Sequence, residues 1–233
     1  MSGASQATSR TFGLVAGLGV GAGVFYYKAL VDAHLARGLT PRLLMVHADV
    51  RHVTTQTAAR NTQALAEYLA GLLKQLALGG AEIASIPAFA PQICAEELAA
   101  ITPLPLISVL DAIAAEVERR RFRRVALFGA RVTLETQLFG RLHGTEVIMP
   151  TPEEIAAIAD VYSRVVAEAR ATDADREQLR ALAHTLIERE RLDGIVLAGT
   201  DLAFVFNASN ADFPHLDGAR VHIQAIMRQI APQ

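Results

Sequence analysis

A single cysteine, Cys94, and no tryptophan occur in the 233 residues. One thiol excludes an internal disulfide and a cysteine-based zinc site. It reads as a buried, inert thiol, six residues beyond Ala88 in the helix that follows a loop. No His-x-x-x-His or carboxylate pair stands in for it, so no metal is expected. Neither charge is in excess: 22 Lys and Arg face 24 Asp and Glu, a net charge of −2. The one basic run, Arg119-Arg-Arg-Phe-Arg-Arg124, reads as a solvated helix end favoured by the helix dipole. Nucleic acid is therefore set aside as a partner. No stretch of about eighteen apolar residues occurs, so no membrane span is expected. Residues 1–11 are small and polar with no apolar segment before Arg10. They read as a frayed tail, neither signal peptide nor anchor, and the expected location is the cytoplasm.

What the chain does have is apolar mass and glycine: 52% of residues are hydrophobic and 16 are glycine. That suffices to bury one large α/β domain or two small ones. Short apolar strands, such as Phe12 to Ala16, alternate with helical patterns of ten or more residues, the signature of parallel sheets with crossover helices. A long helix is expected over residues 55–78, strands at 105–109 and 146–149, and a helix from about 133 to 142. Gly13-Leu-Val-Ala-Gly pairs in layout with Val125-Ala-Leu-Phe-Gly, and residues 81–88 pair with 193–200. The expected fold is α/β: two similar three-layer α/β/α domains with parallel sheets, related by a pseudo-twofold, with ligands in the crevice between them. The boundaries drawn are 10–102 plus 208–233 for the first and 103–207 for the second.

The first strand runs into Gly17-Leu-Gly-Val-Gly-Ala-Gly23, read as a glycine-dense turn before a helix from about Val24. Glycines Gly17, Gly19 and Gly21 let the backbone approach a ligand and leave N–H groups for an anion at a helix N-terminus. The same residues satisfy a Gly-x-Gly-x-x-Gly/Ala pattern. However, Asp49 lies thirty residues past Gly19, where dinucleotide sites place an acid about twenty on. A nucleotide-dependent enzyme is thus a competing reading.

The chain resembles the aspartate/glutamate/hydantoin racemase superfamily on four stretches in order. These are the strand and glycine turn ending in Tyr26-Tyr27, Gly129-Ala-Arg-Val-Thr-Leu-Glu135, Ala198-Gly-Thr-Asp-Leu202, and Asp217 with His222 five residues on. The resemblance implies an isomerase-type enzyme on a small carboxylate or carbonyl compound, with no organic cofactor and a homodimer or higher homo-oligomer. Relatives include decarboxylases and cis–trans isomerases, so the reaction type stays open. The family uses two cysteines on opposite faces of the substrate; the matching positions here are Ala88 and Gly199, which cannot exchange a proton.

Other groups must then carry the chemistry. His47, Arg51 and His52 cluster past the second strand. Histidine exchanges protons near neutral pH and Arg51 could hold a carboxylate, or the loop is simply solvated, with Asp49 capping. Thr200, which keeps a family threonine, and Gly199 would contact the carboxylate, and Asp201 would act as base; the alternative is an ordinary helix cap. Thr133 would contact ligand or cap the helix that starts there. Phe89 and Ala90 make the former cysteine loop apolar, lining a pocket or filling it. The catalytic candidates are therefore His47, His52 and Asp201. The binding candidates are Gly17, Gly19, Gly21, Arg51, Phe89, Ala90, Thr133, Gly199 and Thr200. A non-catalytic ligand-binding relative is the other competitor. His222 reads as a polar packing residue at the seam between the halves.

Overall fold

A computed structural model describes residues 9–231; the tail reading of residues 1–11 falls mostly outside that range. β1 (Phe12–Ala16) is buried along its whole length and pairs in parallel with β2 (Leu43–His47) and β3 (Ile83–Ser85), giving the order β2-β1-β3. An apolar residue at nearly every position suits a strand covered on both faces. Phe12 and Leu14 pack beneath α1 (Val20–Leu35) and α9 (Gly218–Ile230), while Val15 packs with α3 (Thr62–Leu78). The second sheet, order β5-β4-β6-β7, is also parallel throughout. Its strands are β4 (Arg124–Gly129), β5 (Glu146–Val147), β6 (Gly194–Ala198) and β7 (His215–Asp217). α5 (Val109–Arg120), α7 (Pro152–Glu168) and α8 (Asp173–Glu190) close its core.

The segment 208–233 is grouped from sequence with 10–102; its described residues, 208–231, serve both sheets. β7 extends the second sheet beside β6, whereas α9 buries Ile223, Ile226 and Ile230 against Phe12 and Leu14 of the first.

Several local expectations are corrected. The turn after β1 is shorter than residues 17–23, because α1 begins at Val20 and takes in Gly21 and Gly23. These glycines serve close packing. A Cβ on Gly21 would lie 2.7 Å from the Phe204 ring, and one on Gly23 3.1 Å from Ala16 Cβ. The helix expected over 55–78 is two helices, α2 (Val50–Ala58) and α3, parted by Arg60 at φ 52 and by Asn61, whose side chain caps α3. The strand expected at 105–109 is a single bridge, Leu106 beside Ala84, since Pro105 has no N–H to extend a ladder. The helix expected to reach 142 stops after α6 (Arg131–Glu135), where Gln137, Leu138 and Phe139 all take positive φ.

Candidate functional site

The strand-end loops after β1, β3 and β4 converge on a cavity of about 630 Å³ between the two halves. On the first bank α2 presents Val50, Val53, Thr54 and Thr57, and the loop after β3 presents Ala88, Phe89, Ala90 and Pro91. On the second bank the loop after β4 presents Arg131, Val132 and Glu135, and α7 presents Ala159, Asp160, Tyr162 and Ser163. Arg60 stands at the first bank's rim. Thr57 is the unusual member: its hydroxyl is buried and has no hydrogen-bond partner among the described residues, a cost that a ligand group could offset.

Of the residues anticipated from sequence, Phe89 and Ala90 lie on this wall. Gly199 and Thr200 sit one layer behind it, at the end of β6. A Cβ on Gly199 would overlap the Tyr162 ring, 2.8 Å from its Cζ. Asp201 is deeper still, with 1% of its surface exposed. Its Oδ1 accepts the Ala22 N–H at 3.1 Å, and its Oδ2 is buried without a hydrogen-bond partner among the described residues. Burial pushes its carboxyl up to about 6 against the pull of the Ala22 N–H and the Thr200 hydroxyl.

Asp201 also explains the glycine turn. Gly19, at φ +150, offers α1 no side-chain cap, and a Cβ there would lie 2.6 Å from Asp201 Oδ2. The helix N-terminus is thus capped by a carboxyl from the other half of the chain. Gly17, at φ +89, lets the segments that follow β1 and β2 lie close together, since a Cβ would sit 2.6 Å from the Ala48 carbonyl oxygen. The turn is a seam between protein segments, and the anion at its helix is the chain's own. A nucleotide phosphate would have to displace Asp201.

The remaining candidates lie off the cavity wall. The His47 imidazole rests against Gly17. His52 stacks on Tyr68 with ring centroids 4.5 Å apart, and Arg51 is exposed. Asp49 caps α2 by accepting the Arg51 and His52 N–H groups at 2.8 and 3.4 Å. α2 therefore turns its valine and threonine face to the crevice and its histidine face elsewhere. Thr133 is fully buried in α6, its hydroxyl unpartnered among the described residues. Cys94 donates its S–H to the Pro91 carbonyl at 3.2 Å, and burial pushes the thiol up to about 12, so no thiolate forms near neutral pH.

Tyr162 went unanticipated. Its signal is a second stripe on α7, Ala159, Tyr162, Ser163 and Val166 at helical spacing, beside the core stripe of Ile155, Ile158 and Val165. Burial, then the nearby Asp201, raises the Tyr162 phenol well above its ordinary value, while the Thr200 hydroxyl opposes that rise. A second buried group is the His222 network. Its Nε2 lies 3.0 Å from the Ile107 carbonyl, which can only accept, so Nε2 carries the proton and Nδ1 accepts from the Tyr26 hydroxyl at 3.0 Å. Ser85 Oγ lies 2.9 Å from Nε2. Burial holds His222 down at about 4, so it is neutral near pH 7. Tyr26→Phe leaves Nδ1 without a donor and is expected to cost about 1–3 kcal/mol in urea unfolding.

Among the described residues no cluster of three His, Cys, Asp or Glu side chains is placed to hold a metal ion, and no helix is long and apolar enough to cross a membrane. No curated protein matches the chain. Solved structures do. A candidate Asp/Glu racemase from Yersinia pestis is 23% identical, with TM-score 0.80 over 93% of this chain and 96% of that one. An aspartate racemase homologue from Pyrococcus horikoshii OT3 is 21% identical, with TM-score 0.78 over 94% and 98%. An aspartate racemase from Picrophilus torridus is 16% identical, with TM-score 0.74 over 94% and 93%. At these identities the likeness is one of fold. The sequence itself matches the family described as Asp/Glu/Hydantoin racemase over residues 15–226, nearly all of the described chain, and so the protein belongs to that family.

Proposed function

We propose that this chain binds a small carboxylate or carbonyl compound in the crevice cavity and transfers a proton on it with side chains other than cysteine. The observation that supports this reading is the cavity's make-up. It joins both halves and carries two arginines, Arg60 and Arg131, with hydroxyls from Thr54, Thr57, Ser163 and Tyr162 over a mostly apolar floor. Arginine holds a carboxylate by charge and paired N–H groups, and the hydroxyls serve a carbonyl oxygen. The positions that resemble the family's two cysteines are Ala88, on the wall, and Gly199, covered by Tyr162. With one cysteine in the sequence, and that one buried, the chain has no thiol pair to offer. A homodimer, implied by the same resemblance, would find an apolar face in the exposed Val20, Val24 and Tyr27 of α1. Light scattering after size exclusion checks it.

Calorimetry tests the site. Phenylpyruvate and the enantiomers of aspartate serve as carboxylate probes, with NAD as the nucleotide control. At least one carboxylate is expected to bind, and Arg131→Ala is expected to weaken it about tenfold, as loss of a partly exposed charged hydrogen bond does. His47→Ala and His52→Ala are expected to leave binding unchanged. Tight NAD binding, or a loss confined to the histidine variants, would return the site to the glycine turn or to the loop after β2.

A further inference from the structure

We infer that the edge strand β2 is the surface on which two copies of this chain meet, their β2 strands pairing antiparallel about Met45 so that one sheet runs through the twofold. This rests on the homodimer proposed above and gives it a surface and a register.

Sheet edges are normally kept short, charged or covered, because their free N–H and C=O groups pair with any strand that fits. In this fold β3 is covered by the bridge from Leu106, β5 spans only Glu146–Val147, and β7 follows Pro214. β2 is the exception. Leu43-Leu-Met-Val-His47 holds no proline, lysine or carboxylate, and it is only partly covered. Its backbone shows which groups are free. The Arg42 carbonyl accepts the Phe12 N–H at 2.8 Å, and the Ala48 N–H donates to the Ala16 carbonyl at 2.8 Å. Such bonds fall on alternate residues of a parallel strand, so β1 takes the backbone groups of Leu44 and Val46 as well. Those of Leu43, Met45 and His47 face outward, and β2 has no second strand beside it among the described residues.

That pattern complements itself. Met45 set opposite its twin makes a hydrogen-bonded pair, and Leu43 then stands opposite His47 at either end. Charge selects the antiparallel order. Arg42 and Asp49, both exposed, bracket the strand, so each arginine comes beside the other copy's aspartate. A parallel pair would set like charges together. Residues 1–8, Met-Ser-Gly-Ala-Ser-Gln-Ala-Thr, offer no branched apolar or aromatic side chain to cover such an edge.

The helices on both faces of the sheet carry uncharged side chains to the same edge. Leu43 packs with Tyr26 and Leu30, so by alternation Met45 and His47 share the face that α1 covers. On α1, Phe25 and Gly21 meet Phe204 of the other half. The opposite flank bears Val20, Val24, Tyr27 and Leu35 at helical spacing, all exposed, with Val24 at 63%. Two α1 helices, each above its own β1–β2 pair, would lie ~10 Å apart, two strand spacings and the distance at which helices pack. On the other face, Tyr68 bonds the Asp49 N–H and Gly79 lies against Leu44, which marks the side of α3 that meets β2. Beside it, at seven-residue spacing, stand Ala64, Gly71 and Leu78. Leu78 is 80% exposed, and a Cβ on Gly71 would meet nothing within 4 Å.

The test is light scattering after size exclusion on the full-length protein over a range of concentrations, with circular dichroism on the same samples. The natural protein is expected to run as a dimer of 25.0 kDa chains. Met45→Lys sets two like charges opposite each other at the twofold and is expected to weaken the dimer about tenfold or more. Met149→Lys, the same change at an exposed methionine after β5, should leave the dimer intact. Met45→Cys should join the copies under mild oxidation, because residues of a hydrogen-bonded pair lie about 5.5 Å apart at Cα, within disulfide reach. It also carries the test if the lysine variant misfolds. A monomeric natural protein would leave the edge to an extended peptide or to residues 1–8, and would overturn the homodimer and this interface together. A dimer that Met45→Lys leaves unmoved, or that Met45→Cys does not join, would overturn the interface alone. Carboxylate binding in the crevice, read separately by calorimetry, stands under any of these results.

Discussion

Gly199→Ala is expected to lower stability by about 1–3 kcal/mol, and the same change is expected to cost almost nothing when Tyr162 is alanine. The new Cβ has nowhere to go but into the Tyr162 ring, which approaches Gly199 with Cδ2, Cζ and Cε2 together. That ring belongs to α7, whose Ile158, Val161 and Val165 are wholly buried, so the helix cannot step back without opening the second core. The ring must tip into the cavity, or α7 must shift; either costs packing energy. Urea unfolding of the four proteins in the cycle measures this. A destabilisation in Gly199→Ala that persists unchanged in the Tyr162→Ala background would detach the two residues. Gly199→Cys should be no milder than alanine.

The second large effect is on pH dependence, where two buried groups pull in opposite directions. His222 has its pKa lowered from 6.5 to about 4, so the unfolded chain takes up its proton first. The stability it contributes is fully present above pH 6.5 and is lost as pH falls towards 4. Asp201 has its pKa raised from 3.8 to about 6, so the folded chain holds its proton more tightly. Its contribution is fully present below pH 3.8 and is lost as pH rises through 6. Between pH 4.5 and 6.5 each amounts to roughly 2 kcal/mol, and in the natural protein they nearly cancel. Asp201→Asn removes one side: its stability relative to the natural protein should rise with pH over that window by roughly 2 kcal/mol. His222→Gln removes the other and should show the reverse slope. Asp217, also raised by burial, acts in Asp201's direction in all three proteins and drops out of the comparison. Urea unfolding at the two pH values reads the slopes, and parallel profiles for all three proteins would contradict the account.

The strands at the centre of each sheet were legible because burial on both faces writes itself into the sequence. β1, β4 and β6 are runs of apolar residues with few alternatives. The motif order around Gly129, Gly199 and Asp217 carried the family in the same way. Element ends were harder. Asn61 and the positive φ at Arg60 break what reads as one helical pattern, and Gly21 and Gly23 look like turn residues until Phe204 and Ala16 are seen against them. Of the candidates named from sequence, Phe89 and Ala90 lie on the cavity wall. Asp201 reaches α1 from the far end of the chain, and no local pattern announces that a carboxyl will occupy a distant helix N-terminus. His52 and Arg51 looked functional by type, yet Asp49 and Tyr68 fix the turn of α2 so that valines and threonines face the crevice. Tyr162 sits in a stripe that single-helix periodicity assigns to packing.

The central claim is that ligands occupy the crevice cavity beside Tyr162 and that the glycine turn is closed by Asp201. A crystal structure of the protein with phenylpyruvate tests it most directly. The account predicts the ligand between α2 and α7, its carboxylate at Arg131 or Arg60, with the Asp201-to-Ala22 hydrogen bond intact. A ligand seated against Gly17 and Gly19, with Asp201 displaced from the α1 N-terminus, would contradict it.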